Sequence, residues 1–337
     1  MSGKGIVARV ASEDRAVPCC RPGVTGLRRL GSVVVLGLVG AGAACGDADP
    51  GSLLPAPDWD LVFYSDRSGN GDLFLISSDG FRTGSFQARR LLGTGAPDFN
   101  PRWVPQGPGL VFLTDIEQPT ALYGLAPEAE GIATRLGSNP ALDEPPGFAP
   151  DGVTMVYAAP VEGGTDLFVG SLSGGEPERI TYDGVRKVQP AVSPDGEQVV
   201  FAEGPDGRQN LVLLRLDGTG RTVLTEGGSN DGHPVWLPDG SGVLFDSNRV
   251  GVGTDIFHLD LASGTVRNLT NDPGIDLVAS ASPDGEWVAF GSSRSGNWDL
   301  YIVPFAGGAA RRITAEPTFE GDPRWVPPGI FRFPEEG

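Results

Sequence analysis

Between Asp58 and Phe333 the chain alternates short apolar runs with polar, glycine-rich gaps, and the alternation repeats over a long period. Runs such as Glu197-Gln198-Val199-Val200-Phe201 and Glu286-Trp287-Val288-Ala289-Phe290 are rich in β-formers and end on an aromatic residue. Taking that aromatic as a ruler marks Phe63, Phe112, Tyr157, Phe201, Phe245 and Phe290, at spacings of 49, 45, 44, 44 and 45 residues. A period in the forties that carries about four short strands is the pattern of a β-propeller blade, not of a helical solenoid. The expected architecture is therefore all-β: six four-stranded antiparallel blades, with no helix longer than a turn.

The gaps carry turn chemistry that explains their composition. In Ser193-Pro194-Asp195-Gly196, Leu237-Pro238-Asp239-Gly240 and Ser282-Pro283-Asp284-Gly285, Pro presets φ, Asp bonds its own backbone, and Gly takes the positive φ that closes a hairpin. This turn links the innermost strand of each blade to the second. Hairpin loops such as 65–72 and 292–299 lead into third strands at Leu73–Ile76 and Leu300–Val303. Fourth strands carry Arg179-Ile180-Thr181, Val223-Leu224-Thr225, Asn268-Leu269-Thr270 or Arg312-Ile313-Thr314.

The ring closure is also written in the chain. Asp322-Pro323-Arg324-Trp325-Val326-Pro327 repeats Asn100-Pro101-Arg102-Trp103-Val104-Pro105, whereas the first blade starts at Trp59-Asp60-Leu61 with no such segment ahead of it. The last strand is expected to complete the first blade and so remove free sheet edges.

These motifs resemble the TolB-type propeller family, whose repeats follow the pattern Trp-Ser-Pro-Asp-Gly, Ser-Asp-Arg-x-Gly-Asn-x-Asp-Ile-Tyr and Arg-Leu-Thr. The family's Trp position reads Trp103, Phe148, Val192, Trp236, Ala281 and Trp325 here, and the second and third blades are the most degenerate, with Pro105-Gln106-Gly107-Pro108-Gly109 in place of the turn. The resemblance implies a six-bladed propeller acting in the cell envelope. TolB proteins carry a separate α/β domain ahead of the propeller, for which this length leaves no room, so their translocation role does not carry over.

Arg28-Arg29 followed by an apolar stretch over Leu30–Ala44 and then Cys45 reads as an export signal, and resembles a lipoprotein signal at Ala44-Cys45. The stretch is too short for a membrane span, which takes about 20 apolar residues. The expected organisation is a leader over 1–44, lipidation at Cys45 with ordinary secretion as the alternative, a tether over 45–57, and the propeller over 58–333. The long segment ahead of the apolar core reflects either a start nearer Val24 or an extended leader. All three cysteines, Cys19, Cys20 and Cys45, fall in or at the end of the leader, so the propeller holds no thiol for disulfides, catalysis or zinc. Net charge is −18; the first 44 residues hold six basic and two acidic groups, so the remainder stands near −22. That balance disfavours nucleic acid and anionic lipid and favours a cationic partner.

Only His233 and His258 are present, and no Gly-x-Ser-x-Gly elbow appears. His258 falls in a third strand and reads as packing. His233 is level in the repeat with Asn100, Pro145, Gln189, Val278 and Asp322, each near the start of an innermost strand. Just upstream lie Asp98, Asp143, Glu144, Asp231, Asp276 and Glu320. The candidate binding residues are Asp98, Asn100, Glu144, Gln189, Asp231, His233, Asp276 and Asp322, expected to ring an acidic channel mouth; the competing reading is that the acids cap turns. The Asp-rich loops over 66–72 and 294–299 suit calcium in residue type but lack its ligand number, so no cofactor is expected. The function expected is non-enzymatic: a monomeric envelope lipoprotein that binds a protein or glycan. A carbohydrate lyase or hydrolase using channel carboxylates is the alternative, although similar propellers that act on sugars bring metal-binding His clusters. The gating propeller of a serine peptidase is a third.

Overall fold

The computed structural model describes residues 55–333 apart from 129–130, 138–141, 143, 252 and 332. The leader, the proposed lipidation site at Cys45 and most of the tether lie outside them. Six four-stranded antiparallel sheets are formed. The first blade contains β1 (Asp60–Ser65), β2 (Asp72–Ile76) and β3 (Ala88–Leu92). The second has β4 (Asp98–Val104), β5 (Gly109–Thr114), β6 (Ala121–Leu125) and β7 (Thr134–Arg135). The third has β8 (Gly147–Phe148), β9 (Thr154–Val161), β10 (Gly164–Ser171) and β11 (Glu178–Arg179). The fourth has β12 (Lys187–Val192), β13 (Gln198–Glu203), β14 (Asn210–Arg215) and β15 (Thr222–Val223). The fifth has β16 (Asp231–Trp236), β17 (Gly242–Ser247), β18 (Asp255–Asp260) and β19 (Val266–Asn268). The sixth has β20 (Asp276–Ala281), β21 (Trp287–Ser292), β22 (Asp299–Pro304) and β23 (Arg311–Arg312). Finally β24 (Glu320–Val326) pairs with β1, with Leu61 opposite Trp325, and closes the ring as the repeated Pro-Arg-Trp-Val-Pro predicts.

Each ruler aromatic is buried, five of them completely, because the second strand of a blade is covered on both faces by its neighbours. Six apolar clusters result, each shared by two adjacent blades. Leu61, Phe63 and Ile76 meet Leu300, Ile302 and Ile313 at the junction of first and last blades, while Val200 and Leu211 meet Phe245 and Phe257 between fourth and fifth. Two indoles tie innermost strands across blades: Trp236 Nε1 donates to the Ala191 carbonyl at 2.9 Å, and Trp325 Nε1 to the Ser280 carbonyl at 3.1 Å.

The Pro-Asp-Gly turns behave as their chemistry requires. Asp195 Oδ1 accepts from the Ser193 hydroxyl at 2.5 Å and the Glu197 amide at 2.9 Å, and Gly196 sits at φ 77°. One expectation fails. A short helix, α1 (Ser78–Thr83), stands between β2 and β3. Asp60 Oδ1 accepts its first amide, that of Ser78, at 2.7 Å, and Phe81 is buried against Trp325 and Phe86. Local polarity hid a helix that one buried aromatic holds in place.

Candidate functional site: the central channel

The innermost strands β4, β12, β16, β20 and β24 each break register with their neighbour, at Phe99/Arg102, Val188/Ala191, Gly232/Val235, Leu277/Ser280 and opposite Val62/Tyr64. These are β-bulges, which interrupt pairing and re-aim a side chain. The bulged residues are Asn100, Gln189, His233, Val278 and Asp322, at φ of 54°, 56°, 45°, 55° and 52°. In four of them a buried proline follows, at a point where the interrupted ladder asks for no N–H. The third blade has Pro145-Pro146 there and its strand begins only at Gly147. Five of the six positions that the repeat makes equivalent thus share one uncommon backbone state.

The bulges free backbone amides, and those amides link the blades around one mouth. The Gln189 amide donates to Glu144 Oε2 at 2.7 Å, the His233 amide to Gln189 Oε1 at 2.7 Å, and the Val278 amide to Asp246 Oδ2 at 3.2 Å. His233 Nδ1 lies 2.7 Å from the same Asp246 oxygen. Burial opposes the charge on His233, but the Asp246 carboxylate outweighs it, by attraction and by hydrogen bond, and raises the pKa above the ordinary histidine value.

Of the eight residues nominated from sequence, Asn100, Glu144, Gln189, His233 and Asp322 line a channel cavity of about 610 Å³. Asp98, Asp231 and Asp276 are absent from its lining and fully buried, as is Glu320. Asp143 lies outside the described residues. The buried acids sit at the first position of the innermost strand, opposite the last residue of the second strand: Asp98 with Thr114, Asp231 with Ser247, Asp276 with Ser292, Glu320 with Ser65. Asp98 accepts from the Thr94 amide and hydroxyl; for the other three the loop that follows supplies an arginine. Arg249 reaches Asp231 at 2.8 Å and Arg294 reaches Asp276 at 2.6 Å, while Arg67 pairs with Glu320. Each guanidinium also donates to its loop serine and lies over two aromatics of its own blade, as Arg249 does over Phe245 and Phe257 at 4.8 and 5.2 Å. Burial raises the carboxyl pKa of Asp98, Asp276 and Glu320. In the fourth blade the charges are exchanged: Lys187 holds the acid's position, opposite Glu203, and pairs with Asp166 at 3.2 Å and with Asp183. These acids clamp the strands and do not form the rim.

In four blades an Asp at or near the start of the third strand, Asp72, Asp166, Asp255 or Asp299, has a comparable task. Asp166 accepts from Thr181 and pairs with Arg179, and Asp299 pairs with Arg312 at 2.7 Å. Among the described residues no cluster of His, Cys, Asp and Glu is arranged to hold a metal ion. His258 packs its ring edge-on against Phe305 at 5.0 Å, and burial, aided by Arg267, lowers its pKa.

Two cavity residues were quoted from sequence for another reason. Arg102 and Arg324 recur in the closing motif, and both line the channel, on adjacent blades. Their equivalents are Gly147, Ala191, Val235 and Ser280. The guanidiniums donate to the carbonyls of Pro101 at 2.9 Å and Pro323 at 2.6 Å. Among the described residues no carboxylate forms an ion pair with either.

The family described as the TolB beta propeller domain matches residues 88–251 and 232–331. The chain belongs to that family. Among solved structures, this TolB-type propeller is similar to TolB from Acinetobacter baumannii, with a TM-score of 0.67 and 21% identity over 82% of this chain and 69% of that one. It is similar to an oligogalacturonate lyase in complex with manganese (TM-score 0.53, 20% identity, 76% of this chain, 73% of that one). It also resembles a puromycin-hydrolyzing peptidase of Mycobacterium tuberculosis (0.53, 14%, 77% and 43%). At such identities the likeness is one of fold, which does not by itself fix function. A curated relative, an uncharacterized protein of Agrobacterium fabrum, is 38% identical over 60 residues, which is 18% of this chain and a span of only 20% of that protein's own length.

Proposed function

We propose that this TolB-type propeller is an exported, non-enzymatic envelope protein, anchored through Cys45, that binds a protein or glycan partner over the bulged mouth of its channel. The observation that carries this reading is the ring of strained bulges: five non-glycine residues with positive φ, all at equivalent positions of the repeat and all lining one cavity. Strain of about 1–3 kcal/mol per residue persists where the surroundings enforce it, and such residues gather at functional sites. Binding over a rigid scaffold's connecting segments is also the usual disposition of propeller function.

The test is capture from the native envelope. Wild-type protein should retain a partner that the triple variant Gln189→Ala, His233→Ala, Asp322→Ala loses, with both showing the same melting profile. Equal capture by the two proteins moves the site elsewhere. Labelling with palmitate, lost in Cys45→Ser, tests the anchor.

One observation favours a second reading. His233 paired with Asp246 at the cavity mouth is an oriented imidazole, the arrangement of a general base. Turnover of a polymeric sugar that vanishes in His233→Asn would establish the enzyme in place of the binder.

A further inference from the structure

The channel cavity holds two guanidiniums in a molecule that is otherwise strongly acidic. The chain carries −18 overall, yet Arg102 and Arg324 enter the same cavity on neighbouring strands β4 and β24. Arg324 is 8% exposed. Each guanidinium offers five N–H donors, and one is seen satisfied, by the carbonyl of the preceding proline. Elsewhere in the ring, partly buried arginines meet buried carboxylates: Arg67 meets Glu320, Arg249 meets Asp231 and Arg294 meets Asp276. A buried cation without a partner is costly, and this fold demonstrably knows how to pair one. Burial, and for Arg324 the repulsion of Arg102, drive both guanidinium pKa values down, with Asp322, and for Arg102 also Glu144, as weaker opposing influences.

We infer that Arg102 and Arg324 form an anion subsite that takes the carboxylate of a small ring-bearing acid entering by the bulged mouth. The fork of a guanidinium matches a carboxylate in two parallel hydrogen bonds, and two forks side by side hold one such group or bridge a pair. Size agrees: about 610 Å³ lies within the range of small-molecule sites. Pro145, Pro190, Pro234, Val235 and Val278 line the same cavity and give it apolar surface against which a ring face can lie. Asn100, Gln189 and His233 at the entrance can then bond ring substituents. The inference rests on the mouth being the binding site and adds what the two arginines beside it select, an anion in place of the cationic partner that net charge suggests.

The experiment compares acids with their uncharged amides on purified protein: glucuronate against glucuronamide, and benzoate against benzamide, with inorganic phosphate as a third anion. Isothermal titration of wild type should show binding of at least one acid, at least tenfold weaker binding of its amide, and at least a tenfold loss in Arg324→Gln and in Arg102→Gln. Preference for glucuronate identifies a sugar acid and preference for benzoate an aromatic one. Phosphate bound in preference to both acids overturns the carboxylate assignment, and so does acid and amide binding alike or no acid binding at all. A readout free of ligand choice accompanies it. Arg324→Gln should melt at or above the wild-type temperature, because it removes an unpaired buried charge; a large fall would show a purely structural arginine and overturn the site. Envelope capture that survives in Arg324→Gln leaves the mouth reading intact while the subsite fails.

Discussion

Val278 is held at φ 55°, where its branched Cβ crowds the backbone more than any of its four equivalents does. Asn100 occupies the same place in the second blade at 54°, and Asn tolerates this region well. Val278→Asn is therefore expected to stabilise the protein by about 1 kcal/mol, read as a higher denaturation midpoint; a loss of stability would mean that the valine's contacts outweigh its strain. His233 has a pH signature. Its folded pKa is raised, so the protonated imidazole beside Asp246 adds stability that is fully present below the unfolded value of about 6.5 and is lost as pH rises through the higher folded value. Asp246, Asp322 and Glu144 are the charges that bear on it. The difference in melting temperature between wild type and His233→Asn should shrink from pH 5 to pH 8, and a difference constant across that interval would refute the assignment. These residues were visible in sequence as breaks in the repeat. Their backbone state was not, because a bulge depends on pairing with a strand that the local pattern does not specify.

The strand clamps belong to the scale of elements. Ser292, Arg294 and Asp276 connect the start of β20 to the loop beyond β21, and the arginine covers Phe290 and Tyr301 besides. Arg294→Met leaves Asp276 as an uncompensated buried carboxylate and should cost about 3 kcal/mol in chemical denaturation. Adding Asp276→Asn should recover part of that loss, and a double variant no better than the single would show that ring contact, not charge, dominates. The aromatic ruler, the Pro-Asp-Gly turns and the alternating strands were all legible from the chain, since each is a local pattern with one physical cause. The clamps were only half legible. The Ser-x-Arg loops and the acids could both be seen, but Arg249 lies 18 residues from Asp231, and Arg67 lies 253 from Glu320. Register alone placed those acids near the mouth, and which way a side chain faces is settled by the partner it finds. Lys187 with Glu203 preserves the clamp with its charges exchanged, a swap that a search for acids passes over.

At the scale of the whole molecule, six inter-blade clusters and one shared sheet make stability a property of the closed ring. Removing residues 320–337 takes away β24, exposes the paired edge of β1 and opens the junction around Trp325; the truncated chain should lose its cooperative melting transition. A sharp transition near the wild-type temperature would mean that five blades and a remnant suffice. Arg102 and Arg324 were in plain view as part of the closing motif, and their repetition was explained by closure, so nothing in the pattern asked for a second role. The missing signal was their absence from the other four blades, where Gly147, Ala191, Val235 and Ser280 stand.

The pairing of β24 with β1 has a temporal side. The strand that seals the first blade is the last of the ring to leave the ribosome, so the first blade waits, unsealed, while the other five are made. During that interval β1 offers Leu61, Val62 and Phe63 to any complementary strand, including the β24 of a neighbouring copy. At high synthesis rates two molecules can exchange their final strands and emerge as an intertwined dimer, held by the same contacts that seal the monomer.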